Sequence, residues 1–173
     1  MHRTEKTASK VMETAKSAKA TLEGVTGVFK ELMREHGEVT ALLARVKMSS
    51  DIEVRAELFP KIRAELLSHE KGELAEVYPV FKKHEDLAGY AEMHEREAGT
   101  LERQIQRLGA MPYEDPEWAS AFADLVNAVS HHVKEEESEY FPAASKTLGK
   151  KTTEAMTTRY QAKKNAVLNE ERH

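Results

Sequence analysis

Apolar residues recur three or four positions apart in four long stretches of the chain, which is the spacing that gives an α-helix one apolar face. The stretches cover residues 25–47, about 50–79, about 86–108, and a segment that begins near Pro116 and continues past Tyr140. Short connections separate them. Four strongly amphipathic helices with short connections predict an all-α fold, built as an antiparallel up-down four-helix bundle.

Weaker helical patterns flank these four stretches. The first residues favour helix formation but carry few large apolar side chains, whereas Met156, Tyr160 and Val167 lie one or two turns apart near the other end. The chain is therefore predicted to have a polar leading helix, a four-helix bundle and a C-terminal helix, which cover residues 1–24, 25–148 and 149–173.

Several residues carry signals for helix ends. Ser50 and Glu53 match a capping box and predict the start of the second helix. Pro60 lies inside the second apolar pattern and is expected to kink or restart that helix, and Pro79 is expected to end or bend it. Gly109 is expected to end the third helix.

Composition supports the all-α prediction and excludes several kinds of site. Glutamate, lysine, alanine and leucine are abundant, and glycine and proline are sparse, as in helical proteins. The 173 residues suffice for one domain with an apolar core. The absence of cysteine excludes disulfides, thiolate metal sites and cysteine nucleophiles.

Charge and hydropathy indicate the expected surroundings of the protein. The net charge of −4 gives no electrostatic footprint for nucleic acid. The chain begins without the apolar run of a signal peptide, and no later run approaches the length of a membrane span. A cytoplasmic protein without nucleic-acid or membrane partners is therefore expected, and its oligomeric state is left open.

Each of the four strong patterns has one histidine on its apolar face; these histidines are His36, His69, His94 and His132. A glutamate follows one helical turn later on the same face in two of them, as Glu73 follows His69 and Glu136 follows His132. Burying such groups without partners costs a few kcal/mol each. Because one or two divalent cations would satisfy all of them, the pattern predicts a metal site.

The residue types narrow the choice of metal. Imidazoles and carboxylates suit iron, manganese or zinc, and two bridging carboxylates suit two ions held a few ångströms apart. Glu70, at the rim of the second apolar face, adds a further ligand, and no catalytic residue is assigned. The predicted metal ligands are His36, His69, Glu70, Glu73, His94, His132 and Glu136.

Neighbouring residues of the same types receive other interpretations. His131 and Glu135 repeat the spacing but project away from the apolar face, so they are interpreted as a surface pair. Glu137 is interpreted as solvated. Tyr78 and Tyr90 are interpreted as packing residues, although Tyr90 lies one turn before a candidate ligand.

Taken together, these motifs resemble those of the hemerythrin-like family, the HHE cation-binding domains. The matching segments are EH at His36, SHEKGE ahead of VYP, MHE at His94, and HHVKEE ahead of YFP, within roughly residues 25–145. The resemblance implies a four-helix bundle that holds two non-heme iron ions, Fe²⁺ or Fe³⁺, with an oxo or hydroxo bridge. Its histidines would be terminal ligands, and its two bridging carboxylates would be Glu73 and Glu136.

Two details depart from the oxygen-carrying members of that family. Those members place the second bridging carboxylate five residues after its histidine, which makes Glu137 the alternative bridge, although the helical register favours Glu136. They also have a fifth histidine four residues from another one, whereas Tyr90 and Ala98 stand four residues from His94 here. Glu70 would fill this position, as a carboxylate does in some HHE domains. A site that is richer in oxygen is expected to favour ferric iron and to disfavour reversible O₂ transport.

The resemblance implies a protein that binds or reacts with O₂, peroxide or NO, in sensing, scavenging or protection against oxidative stress. One alternative is a peroxide-consuming, catalase-like or oxidase-type enzyme at the same site. Another is a metal-storage or structural helical protein. Ferritin-like storage is disfavoured, because those sites repeat Glu-x-x-His and this chain repeats His-x-x-x-Glu.

Overall fold

The computed structural model describes Thr7 and residues 10–16, 19–20 and 24–173. The long helices of the bundle are α1 (Val28–Lys47), α2 (Ile52–Glu76), α4 (Ala88–Ala110) and α5 (Trp118–Glu135). The remaining helices are α3 (Tyr78–Phe81), a π-helix (Glu136–Tyr140), α6 (Phe141–Leu148) and α7 (Lys150–Glu171). No strand occurs among the described residues, and the predicted all-α helix bundle is confirmed.

The predicted leading helix is described only in part. Residues 10–16 and 19–20 are helical, and the rest of residues 1–23, apart from Thr7, lies outside the described residues. In the part of the chain that the structure describes, no helix combines the length and the apolar character that crossing a membrane requires.

One helix start and one helix end differ from the predicted ones. The side chain of Asp51, not that of Ser50, caps α2 by accepting a hydrogen bond from the backbone N–H of Glu53, at 2.9 Å. Asp51 lies directly before the helix, so its carboxylate reaches the free N–H groups of the first turn. Gly109 does not end the third helix, because α4 continues to Ala110.

The two prolines behave differently. Pro60 neither ends nor restarts α2, which continues from Ile52 to Glu76. Proline has no backbone N–H, so the carbonyl of Ala56, one turn before Pro60, loses its helical hydrogen bond. Pro60 and Ala56 are both exposed, so water can donate a hydrogen bond to that carbonyl instead. Pro79 follows the end of α2 and lies in the first turn of α3, where a proline needs no N–H donor.

The core consists of two apolar clusters with a polar layer between them. On α1, for example, Leu32 and Met33 belong to one cluster, and Val39 and Leu43 belong to the other. His36 lies between these pairs along the helix. The same interruption occurs in the last third of α2, in the first third of α4 and at the end of α5, so the bundle brings four polar segments to one level.

The C-terminal helix α7 packs mainly against α2 and also against α1. Its buried residues are Thr153, Met156, Tyr160, Lys164 and Val167. Tyr160 and Lys164 lie at the level of the polar layer, which gives this largely polar helix a contact with the candidate site.

Candidate metal centre

The seven residues predicted as metal ligands come together in the polar layer between the two apolar clusters. Their nitrogen and oxygen atoms form two overlapping groups, and within each group one such atom per residue lies within 4.8 Å of the others. The first group consists of His36, His69, Glu73 and Glu136. The second group consists of Glu70, Glu73, His94 and His132.

Glu73 belongs to both groups and faces each with a different oxygen. Its Oε1 lies 3.3 Å from Nε2 of His69, and its Oε2 lies 3.8 Å from Nε2 of His94. Glu70 faces the second group alone: its oxygens lie 2.7 Å from Nε2 of His94 and 4.0 Å from Nε2 of His132. Glu73 thus has the position of a bridging carboxylate, and Glu70 that of a terminal one.

Glu136 and Glu137 are both buried, because the chain forms a π-helix from Glu136 to Tyr140. Oε1 of Glu136 lies 3.6 Å from Nε2 of His36 and 2.7 Å from Nε2 of His132, between the two groups. Glu137 instead lies 3.1 Å from Nδ1 of His36, the nitrogen on the outer side of that ring. The interpretation of Glu137 as solvated is wrong, since only 1% of the residue is exposed.

The inward-facing atoms lack hydrogen-bond partners among the residues that the structure describes. They are Nε2 of all four histidines, both oxygens of Glu73, and one oxygen each of Glu70 and Glu136. Nε2 of His94 and Oε1 of Glu70 are 2.7 Å apart, but they are not aligned as a hydrogen bond. An unpartnered buried polar atom costs about 1–3 kcal/mol. A shared cation removes that cost, so this donor set fits a divalent metal.

Three of the four histidines have a carboxylate on their outer nitrogen, Nδ1. Oε2 of Glu35 lies 2.8 Å from Nδ1 of His69, and Oε2 of Glu97 lies 3.4 Å from Nδ1 of His132. The contact of Glu137 described above is the third. A carboxylate there favours the tautomer with the proton on Nδ1, which leaves the lone pair of Nε2 facing the centre. Metal-binding histidines usually have this arrangement.

Two tyrosine hydroxyls reach the carboxylates around the site. Tyr78 donates a hydrogen bond to Oε2 of Glu136 at 2.8 Å, and its ring stacks on the ring of His94 with centroids 3.7 Å apart. Its interpretation as a packing residue missed this hydrogen bond. Tyr160 of α7 donates to Oε2 of Glu35 at 2.5 Å. Both hydroxyls hold a carboxylate in a fixed orientation.

Sequence reasoning missed Glu35 and Glu97. Glu35 precedes His36 but supports His69 on another helix, so the register of its own helix gives no sign of its partner. Glu97 follows His94 by three residues and likewise contacts a histidine of the next helix, α5. A search for glutamates adjacent to, or one turn from, each candidate histidine would have found both.

Burial and mutual repulsion shape the electrostatics of the carboxylates. Burial raises the pKa of Glu73 well above its usual value, and the charges of Glu136 and Glu70 raise it further. Burial also acts to raise the pKa of Glu136, but His132 and His36 outweigh it and hold that pKa well below its usual value. Burial acts to lower the pKa of His132, but the charge and hydrogen bonding of Glu136 outweigh burial, so the pKa of His132 lies well above its usual value. A cation would favour the ionised form of Glu73.

Among the cavities that adjoin these residues, two reach the histidines of the centre. The smaller one, about 20 Å³ in volume, is lined by residues of both groups, including His36, His69, Glu70 and His132, and has room for one water-sized molecule. The larger one, about 220 Å³, reaches Glu70 and His132 and is lined by exposed residues such as His131 at its other side. A small molecule can therefore approach the second group from the surface.

His131 lies outside this centre, as the helical register predicts. Its Nε2 is 3.2 Å from Oε1 of Glu135, and 65% of its side chain is exposed. The two adjacent histidines of α5 therefore differ: His132 faces the buried glutamates and His131 faces solvent.

Comparison with known proteins gives a family and a relative. The family model of the hemerythrin HHE cation binding domain matches residues 27–144. A DNA nickase of Nostoc sp. (strain PCC 7120) is 26% identical over 133 residues, which cover 77% of this chain and 38% of that relative. The chain thus corresponds to well under half of the relative's length. No solved structure matches.

Proposed function

The chain belongs to the hemerythrin HHE cation-binding family, and on that premise we propose that it holds two iron ions and binds or reacts with O₂, peroxide or NO. The proposed ligands are His36, His69, Glu70, Glu73, His94, His132 and Glu136, with manganese or zinc as the other metals that this donor set suits. Bound iron would supply a coordination position for a small ligand and a change of oxidation state.

The observation that carries the proposal is the pair of overlapping groups. Glu73 gives one oxygen to each group, and Glu136 lies between a histidine of each. A single ion would use only half of the donors and leave the other buried atoms without partners. Two ions that share two carboxylates would satisfy all of them.

The small cavity supports a ligand of two or three atoms. Its volume of about 20 Å³ lies among the donors and admits a molecule about as large as water. Such a site suits O₂, peroxide or NO. We therefore place the protein in sensing, scavenging or protection against these molecules.

A peroxide-consuming enzyme is the second candidate, and the hydroxyl of Tyr78 favours it. This hydroxyl lies 2.8 Å from Oε2 of Glu136, close enough to exchange a proton with groups at the centre. Burial, followed by the charges of Glu136 and Glu73, raises the pKa of Tyr78 well above its usual value, so the phenol is a neutral donor. Release of O₂ after addition of hydrogen peroxide, faster than with free iron, would establish this activity.

We do not propose DNA nicking as an activity of this chain. The alignment with the Nostoc DNA nickase leaves most of that relative unmatched. The net charge of −4 also opposes association with a phosphate backbone. An assay with supercoiled plasmid in the presence of iron tests whether this chain nicks DNA. Nicking by the wild type that disappears in a His132→Ala variant would show that the chain has this activity.

The proposal is tested by metal analysis and visible spectroscopy of protein purified from iron-supplemented cells. Two irons per chain are expected, with charge-transfer absorption that changes when the reduced protein meets O₂, hydrogen peroxide or NO. A colourless protein without stoichiometric metal would overturn the proposal. Two irons per chain without a response to any of the three molecules would support the metal-storage alternative.

A further inference from the structure

The two groups of ligands differ in what holds their histidines in place. In the first group, both outer nitrogens contact a buried carboxylate: Glu137 for His36 and Glu35 for His69. Each carboxylate in turn contacts a lysine. Lys16 donates to both oxygens of Glu137, at 2.7 and 2.6 Å, and Nζ of Lys164 lies 3.0 Å from Oε1 of Glu35.

These outer contacts come from segments beyond the region that the family model matches. Lys16 precedes residues 27–144, and Tyr160 and Lys164 follow them in α7. Tyr160 adds its hydroxyl to the same oxygen of Glu35 that contacts His69. The two terminal segments therefore complete the surroundings of the first group.

The second group has a looser outer layer. Glu97 contacts Nδ1 of His132 at 3.4 Å, and 30% of its side chain is exposed. Nδ1 of His94 has no hydrogen-bond partner in the described part of the chain. The cavity of about 220 Å³ also reaches this group, at Glu70 and His132. The wider cavity thus lies at the second group, whereas Glu35 and Glu137 behind the first group are buried.

We infer that the two metal positions are unequal, and that the terminal segments make the first group the tighter one by positioning His36 and His69. The inference rests on the proposed two-metal function. A carboxylate that is itself held in place fixes the orientation of an imidazole and increases its basicity, and loss of such a partner costs about 10- to 100-fold in metal affinity. The second group, with a partly exposed carboxylate and a wider cavity beside it, fills later and exchanges faster.

The test is a titration of the metal-free full chain with Co²⁺, followed by its visible absorption. The wild type is expected to bind two ions in two steps. Glu35→Gln should weaken the tighter step about 10- to 100-fold and leave the weaker step unchanged. Glu97→Gln is the matched control, since it removes the same charge and should weaken only the weaker step.

Tyr160→Phe tests the part played by α7 without any change of charge. It should weaken the tighter step by a smaller factor, about 3- to 10-fold, because it acts through Glu35. Two equal steps in the wild type, or variants that weaken both steps alike, would overturn the inference and leave the two-metal proposal standing. No binding of Co²⁺ at all would overturn the proposed function as well.

Discussion

The ring of Tyr160 packs against the α-carbon of Gly72: a Cβ placed on Gly72 would lie 2.6 Å from Cε2 of that ring. Gly72 belongs to the SHEKGE segment, between Glu70 and Glu73 of the candidate centre. The absence of a side chain there allows α7 to approach α2 closely enough for the Tyr160 hydroxyl to reach Glu35. One glycine thus connects the docking of the C-terminal helix with the surroundings of the metal ligands.

Gly72→Ala is expected to destabilise the protein. Alanine is the better helix former by about 1 kcal/mol, but the added methyl group must displace a fully buried ring, and such overpacking costs about 1–3 kcal/mol. Urea unfolding should show a net loss of stability, and Co²⁺ binding should weaken because Tyr160 moves. Gly89→Ala is the matched control: Gly89 is exposed in α4 with nothing within 4 Å of its Cβ position, so this variant should be neutral or more stable. Equal stability of the two variants would contradict this account.

Gly27 and Gly24 show two different reasons why a position requires glycine: a positive φ and a close backbone contact. Both have positive φ, 55° and 70°, which costs other residues about 1–2 kcal/mol. A Cβ on Gly27 would lie 2.2 Å from the carbonyl carbon of Thr153, whereas nothing lies within 4 Å of a Cβ on Gly24. Gly24→Ala should therefore cost only the backbone term, and Gly27→Ala should cost about 1–3 kcal/mol more, since it separates α7 from the start of α1. Denaturant unfolding measures both, and equal losses would refute the close contact.

Helical periodicity predicted the inner layer of the site because that layer obeys a single rule. The four helices each place one histidine on the apolar face, and each of these histidines arrives in the polar layer. The separation of His131 from His132 follows from the same rule, since adjacent residues on a helix point about 100° apart. Periodicity within a helix suffices wherever the ligand faces the bundle axis.

The outer layer was not predictable in this way, because its contacts join different helices. Glu35 supports a histidine of α2, and Tyr160 comes from a helix whose sequence is largely polar. Glu137 was misplaced for another reason: the register assumed 3.6 residues per turn, and the π-helix at Glu136–Tyr140 has a wider turn. Sequence position could therefore select Glu35 and Glu97 as candidates, but the structure was required to show which histidine each carboxylate supports.

Replacing each of the adjacent histidines of α5 tests the assignment of the inner one. His132→Ala is expected to lower the iron content from two per chain to one or fewer, because it removes a ligand of the second group. His131→Ala should retain two irons, since its side chain is exposed. Metal analysis after iron loading measures both, with circular dichroism to verify folding. Full metal content in the His132→Ala variant would show that the site assignment is wrong.

Glu73→Gln is expected to have opposite effects on metal binding and on the stability of the metal-free protein. The variant should lose metal affinity, because one bridging carboxylate becomes an amide. The metal-free variant should nevertheless be more stable than the metal-free wild type at pH 8, by about 1–3 kcal/mol, since the neutral amide does not repel Glu136 and Glu70 and takes up no proton on folding. Urea unfolding in the presence of a chelator measures this difference.

The gain should depend on pH in a defined direction. The pKa of Glu73 is raised well above 4.5 in the folded protein, so the folded chain holds a proton that the unfolded chain has lost. The metal-free wild type therefore loses stability as the pH rises from 4.5 to the pKa that Glu73 has in the folded protein. Below pH 4.5 the carboxyl group is protonated in both the folded and the unfolded state, so the advantage of glutamine disappears. Glu92→Gln, at an exposed position of α4, serves as the control and should give no gain at either pH. A metal-free Glu73→Gln variant less stable than the wild type at pH 8 would show that Glu73 is stabilised without a cation, and the principal electrostatic reason for a metal at this centre would be lost.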